Sequence, residues 1–204
     1  AYLIQSEWDD RQNRKVERLT KTARFRYSAV MENIDYTHDR NIDRNQIQRF
    51  ATCDFITQKD NILITGSTGA GKSYMASAIG HQACSLGFKT MYFNTSKLFT
   101  MLKTSKADGS YLKQVNKIEK QDLLILDDFG LKGLDNINRH SLMEIIEDRH
   151  GKKSTIIASQ LPVEAWHEII GEQTIADAIL DRLVHTAHRI DIKGESMRKK
   201  LKNK

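Results

Sequence analysis

At 204 residues the chain is long enough for one α/β domain with an appendage and short for two full domains. With 39% hydrophobic and 28% charged residues it can bury a core in water, and no apolar run approaches the ~20 residues that span a bilayer. A formal net charge of +6 favours a polyanionic partner, while Cys53 and Cys84, with no CxxC spacing, exclude a disulfide framework and read as reduced cytosolic thiols.

The chain starts without Met and without a signal-peptide pattern, so trimming or an absent upstream domain is expected. Residues 5–28, QSEWDDRQNRKVERLTKTARFRYS, contain neither Gly nor Pro and predict a helix. Arg11, Arg14, Lys15, Arg18 and Lys21 recur at spacings of three and four as a basic stripe, with Trp8, Val16, Leu19 and Ala23 on another face. Such a stripe suits phosphate tracking, and it equally suits the solvated face of a packing helix. Residues 29–60 read as irregular, with a short helix near 43–52.

At residue 61 the rhythm changes. NILIT is a short apolar run feeding a Gly-rich turn, and the helix that follows, 72–86, has Gly87 placed to end it. KTMYFN (89–94) predicts a strand and SKLFTMLK (96–103) a helix capped by Ser96. After Asp108-Gly109 come the helix SYLKQVNKIEK, the strand DLLIL, a helix over 138–150, the strand STIIAS and a helix over 174–184. Short apolar strands alternating with helices imply an α/β fold, a parallel sheet covered on both faces. Residues 193–204, KGESMRKKLKNK, form a basic tail. The chain divides into a basic helical arm (1–50), a core (51–192) and that tail.

GSTGAGKS, Gly66 to Ser73, matches G-x-x-x-x-G-K-[ST] between a predicted strand and a predicted helix. Its glycines let the backbone N–H groups of Gly66, Ser67, Thr68, Gly69, Ala70 and Gly71 curl around an anion, and the helix N-terminus adds its dipole. Lys72 reaches the β- and γ-phosphates, the Ser73 hydroxyl ligates Mg2+, and Tyr74 follows on the nucleotide side. The cofactors implied are ATP and Mg2+. LLILDDFG (123–130) then drives a buried strand into two carboxylates. Side by side at the rim of a core they call for a counter-charge, and no fixed cation stands beside them in sequence. A metal ion shared with Ser73 supplies it. Asp127 is the metal-site acid, and Asp128 orients or deprotonates the attacking water.

The P-loop, LLILDDFG, TIIASQLPVEAW and DAILDRLVHTAHRIDIKGESMR together resemble the AAA+ P-loop ATPases of the DnaC-type helicase-loader group. The pattern is most similar to the IstB-like ATP-binding proteins, helpers of insertion-sequence transposases, whose N-terminal pattern is matched by EWDDRQNRKVERLTKTARF and ENIDY. The resemblance covers nearly the whole chain. It implies that Gln160, after the strand TIIAS, is a polar sensor near the γ-phosphate, where Asn or Asp is more usual. It implies that Asn94 holds the catalytic acid inactive until DNA or a neighbour engages. Arg182 in LDRLVH resembles the arginine finger that completes an adjacent subunit's site in a head-to-tail assembly, and Arg198 in GESMR a second nucleotide sensor. From the residues alone, Arg182 equally pairs with Asp181 or Asp177, Asn94 caps the next helix, and Gln160 is a loop residue. Asp128 stands where most AAA+ proteins carry Glu, one methylene longer, which implies slow, assembly-dependent hydrolysis. The chain ends soon after the finger helix, so no full lid domain is expected.

Lys103, Lys106, Lys113, Lys117 and Lys120 crowd the region between the second and third strands. The resemblance implies a DNA-facing region there, and lysines neutralise phosphates without reading bases. A solvated lysine-rich helix pair is the competing reading. Aromatic residues make up only 7% and do not interleave with these lysines, which favours duplex DNA over a base-stacking platform. His81, His185 and His188 form no metal-ligand pattern, and Trp8 and Trp166 read as packing residues. The expected activity is ATP hydrolysis on duplex DNA in support of a transposase. Two alternatives remain open: a helicase loader acting on single strands, and a nucleotide-gated scaffold without turnover.

Overall fold

The computed structural model describes residues 2–36, 40–194 and 196–197. Five strands form one parallel sheet in the order β2-β3-β4-β1-β5: β1 Asn61–Gly66, β2 Thr90–Asn94, β3 Leu123–Phe129, β4 Ser154–Ser159 and β5 Ala187–Ile192. Strand alternation splits the core into two layers. Ile62, Ile64, Leu123, Ile125 and Ile156 pack on one face with α2 (Arg44–Ala51), α3 (Asp54–Gln58) and α4 (Lys72–Ser85). Leu63, Leu124, Leu126 and Ile157 pack on the other with α5 (Thr95–Ala107), α6 (Tyr111–Glu119), α7 (Asn136–Arg149), α8 (Trp166–Ile170) and α9 (Gln173–Val184). Helices on both faces of a parallel sheet are what the strand–helix alternation predicts.

The N-terminal helix α1 (Tyr2–Ala23) packs on β2 and α4 but stops five residues short of the expected 28, where Arg24 enters the left-handed region at φ +59°. Residues 29–50, assigned to the arm and read as irregular apart from the short helix that α2 matches, contribute Ala29, Met31, Ile34, Ile47 and Phe50 to the first core layer. Helix α4 ends as predicted: Gly87 at φ +88° lets its own N–H reach Cys84 O and that of Phe88 reach Ala83 O. Helix α5 is capped by Asn94, whose Oδ1 accepts from Lys97 N, and not by Ser96. Strand β5 and the short helices α3 and α8 lie in stretches with no predicted element. Only Ile190 and Ile192 of β5 are buried, because it is an edge strand with one covered face, and so its apolar signal is thin.

Trp166 is buried against Phe129, with ring centroids 4.9 Å apart, and donates from Nε1 to Leu161 O. Trp8, expected to pack, is 57% exposed instead, because the first half of α1 projects beyond the sheet. Arg149 is buried at the amino end of the sheet. Its guanidinium donates to Ile118 O, Gln121 O, Ser154 O and Thr155 Oγ1, stitching α6, the turn before β3, and β4 together. Burial pulls its pKa down to about 9, and Asp122 offsets this only in part. Arg149→Met strips partners from several buried acceptors and should cost about 2–3 kcal/mol. Thermal unfolding should show a midpoint lowered by roughly 5–10 °C.

Candidate active site

All five strands run parallel, so their carboxyl ends converge at one rim, where open α/β sheets bind ligands. That rim collects Gly66 from β1, Asn94 from β2, Asp127 and Asp128 from β3, and Gln160 just beyond β4. The turn from Gly66 to Gly71 feeds α4, with Gly71 at φ +98° directly before Lys72. At Gly66 a side chain is impossible, since a Cβ would lie 2.2 Å from Ile192 O at the end of β5. Lys72 is buried and donates from Nζ to Gly66 O and Ser67 O, both at 2.8 Å, so its ammonium lies inside the curl of the loop.

Ser73 Oγ donates to Asp127 Oδ1 at 3.0 Å, although the two residues lie 54 positions apart. The remaining oxygen, Oδ2, accepts a short hydrogen bond from Tyr92 OH. Burial, together with that bond to a carboxylate, pushes the Tyr92 phenol well above its usual range, so it stays protonated and able to donate. Asp128 Oδ2 accepts from Asn94 Nδ2 at 2.9 Å. Asn94 therefore caps α5 through its oxygen and holds Asp128 through its nitrogen. Adjacent residues of a regular strand point to opposite faces. Here the register with β4 shifts between Leu126 and Phe129, and Asp128 sits in the left-handed region at φ +57°. The shift brings both carboxylates within reach of a single guanidinium atom, Arg26 Nη1, at 2.9 Å from Asp128 and 3.4 Å from Asp127.

Arg26 is thus the fixed cation beside the two acids, and it lies 101 and 102 residues away from them in sequence. Burial opposes its charge, but Tyr27, Asp128 and Asp127 more than offset that, and the guanidinium is held above its usual pKa. Residue-level reading also missed Tyr92 and Arg40. Tyr92 had a signal, because a tyrosine at a buried strand position needs a partner for its hydroxyl, and it shares a face with Asn94. Arg40 bonds the carbonyl of Ala70 behind the loop, and Met197 N donates to Gly69 O from the segment after β5. Arg26 and Arg40 had no local signal.

A cavity of about 620 Å3 opens over this rim, lined by Lys72, Ser73, Asp128 and Gln160 on the loop side and by Tyr27 and Tyr74 on the other. Gln160 Oε1 accepts from Thr68 Oγ1 at 2.7 Å, which ties the end of β4 to the loop. Among the described residues no three His, Cys, Asp or Glu side chains gather into a metal cage. A hydroxyl beside a carboxylate is instead the hard-oxygen set that Mg2+ accepts when phosphates complete its shell, so Ser73 and Asp127 fit that ion.

The other predicted residues lie elsewhere. Arg182, on α9, sits at the amino end of the sheet, opposite the P-loop, with Asn61 Nδ2 at the start of β1 donating to its carbonyl. Its Nη2 pairs with Glu147 of α7 at 2.8 Å and not with Asp181 or Asp177, because α7 packs directly beside α9. Arg198 falls outside the described residues. Arg11, Arg14, Lys15 and Arg18 are exposed on α1, with Arg11 paired to Glu7 at 2.5 Å. Lys103, Lys106, Lys113 and Lys117 are exposed on α5 and α6, on the opposite face of the sheet from α1, and Lys106 is held by Ser141 Oγ at 3.0 Å.

The family described as IstB-like ATP binding protein matches residues 1–204. The chain belongs to that family. A putative insertion sequence ATP-binding protein (y4pL) of Sinorhizobium fredii is 46% identical over 202 residues, covering 99% of this chain and 82% of its own. The IS21 putative ATP-binding protein of Pseudomonas aeruginosa is 30% identical over 201 residues, covering 98% and 76%. Among solved structures, DnaI aligns with a TM-score of 0.70 at 23% identity, over 81% of this chain and 92% of its own. AMPPCP-bound DnaA from Aquifex aeolicus aligns with 0.70 at 18%, over 89% and 57%. At these identities the structural likeness establishes the AAA+ fold alone. Fold and family together make this IstB-like chain an AAA+ ATPase.

The left-handed Asp128 gives a test of the bulge that is independent of its carboxylate. Asp128→Gly and Asp128→Ala both remove the acid, but only Gly occupies this backbone region without strain. The Gly variant should be the more stable by about 1 kcal/mol in urea unfolding. Equal stability would mean the backbone relaxes once the side chain is gone.

Proposed function

We propose that this chain binds Mg2+–ATP at the P-loop rim, assembles head to tail on duplex DNA, and in that state supports an insertion-sequence transposase. The observation that carries the nucleotide part is the 3.0 Å contact between Ser73 Oγ and Asp127 Oδ1 beside a buried Lys72. In this reading Lys72 neutralises the β- and γ-phosphates, Ser73 and Asp127 hold the metal, and Gln160 senses the γ-phosphate. The metal supplies charge neutralisation on the transferring phosphoryl group. Asp128 orients the attacking water once Asn94 gives it up.

Arg182 supports the assembly part. Lying at the far end of the sheet, it has no path to its own nucleotide, so any service it gives must be to a neighbour. It lines a recess of about 240 Å3 with Lys59, Asp60, His150 and Lys153, where it is paired with Glu147 and Lys153 with Asp122, so a partner's phosphate would have to draw these cations from their carboxylates. A heterologous contact of this kind builds rings or open helices. The transposase partner comes from the relatives, which are insertion-sequence proteins at up to 46% identity among those compared. The DNA part draws on the +6 charge and on the exposed cations of α1, α5 and α6.

Asp128→Asn should bind ATP normally and lose hydrolysis, and Arg182→Ala should lose DNA-stimulated hydrolysis with nucleotide binding intact. Mixing the two silent variants should recover part of the ATPase rate, because the Asn variant lends its arginine to the Ala variant's intact acids. No recovery at any mixing ratio would remove the trans role of Arg182. For the DNA, fluorescence anisotropy of labelled duplex and single strands at fixed salt should show cooperative, ATP-dependent preference for duplex. Preference for single strands would point to helicase loading. Indifference to nucleotide would reduce the DNA contact to nonspecific attraction.

A further inference from the structure

Arg26 does more than balance charge, because the chain on either side of it is anchored. Phe25 is wedged beneath it: its ring lies 4.3 Å from that of His81 and 6.3 Å, edge-on, from that of Tyr92. The wedge needs Gly80, where a Cβ would fall 2.4 Å from Phe25 Cε1. On the other side, the Tyr27 carbonyl meets His81 Nε2 at 3.1 Å. Between these anchors the guanidinium reaches both acids, and Asp128 Oδ2 is then shared between Arg26 and Asn94 at 2.9 Å each. A water in line for attack would need that same carboxylate. A divalent ion on Ser73 and Asp127 would also lie close to a guanidinium 3.4 Å from the same carboxyl group, and like charges compete for it. The helix α1 ends two residues upstream of Phe25, and residues 7–15 of that helix are exposed throughout.

We propose that Arg26, wedged in place by Phe25, is a positioning residue that occupies Asp128 and competes with the divalent metal for the acid pair, so that the seating of α1 and the loading of the site oppose each other. A polyanion that draws on the basic stripe of α1 thereby acts on the catalytic acids through two residues of chain. The inference rests on Asp127 and Asp128 being the metal-side and water-side acids of the proposed ATPase.

The test uses the full chain with ADP and Mn2+, free Mn2+ being read by electron paramagnetic resonance. Arg26→Gln should bind Mn2+ about three- to tenfold more tightly than the unmodified chain. Phe25→Ala, which touches neither acid, should shift affinity in the same direction. In the unmodified chain, Mn2+–ADP should speed amide exchange over residues 24–30, and in Arg26→Gln that exchange should already be fast. Unchanged or weaker Mn2+ binding in Arg26→Gln overturns the inference, and weaker binding would place Arg26 on the nucleotide instead. Asp127→Asn is the control: it should remove tight Mn2+ binding in either background. If it does not, the metal assignment of Asp127 fails and takes the inference with it. If it does, and Arg26→Gln is silent, the inference alone fails.

Discussion

Two neighbouring carboxylates on a strand cannot both face one ligand while the pleat is regular, and the departure from the pleat at Asp128 is what the active site depends on. Leu126 pairs with Ile157 and Phe129 with Ser159, so β3 carries one residue more than β4 over the same span. The extra residue is accommodated by Asp128 at φ +57°, a conformation that Asp tolerates better than most residues because its short polar side chain can bond locally. Asp127 keeps its place on the α4 side, where Ser73 and Tyr92 meet it, and Asp128 swings to Asn94 and Arg26. Without the shift, Asp128 would point to the layer of Leu124 and Leu126, where an ionised carboxylate would be desolvated with no partner.

The same rim gathers contacts from distant parts of the chain. Asn94 is the clearest case of one side chain with two duties, since its amide offers an acceptor to the cap of α5 and a donor to Asp128. Movement of α5 is therefore coupled to Asp128 through Asn94, and through Thr95, whose Oγ1 donates to the Asp127 carbonyl at 2.8 Å. Arg40 and the segment around Met197 hold the outer side of the P-loop, and Thr68–Gln160 ties it to β4. The amino end of the sheet is built differently, around the buried Arg149 and the Asn61 side chain, which accepts from Thr155 N and donates to the last turn of α9. Arg182 belongs to that second end. A single chain thus carries the P-loop rim and Arg182 at opposite ends of one sheet.

How much of this was legible depended on how local each signal was. The P-loop, the Asp-Asp strand end and the strands β1 to β4 are readable because apolar runs, glycines and the phosphate-binding spacing lie within a few residues of one another. Helix α9 and the Gly87 terminus of α4 are readable for the same reason. Strand β5 was missed, since its exposed edge removes the apolar alternation that announces a strand, and its pairing with β1 is a tertiary fact. The cap of α5 was legible only as a pair of candidates, since Ser96 and Asn94 are equally favoured capping residues and Asn94 is the one that sits where the strand turns.

The sequence by itself determined the fold class and the phosphate-binding loop, because strand–helix alternation and loop spacing are properties of short stretches. It also contained every chemical group the active site uses. Beyond the Ser73–Asp127 pair that the motifs imply, which groups meet was decided only in three dimensions. Arg26 reaches acids 101 and 102 positions away, Tyr92 finds Asp127, and Arg40 bonds Ala70 behind the loop. The reason is physical: strand order and register set the distances between elements, and neither is written in the periodicity of any one of them.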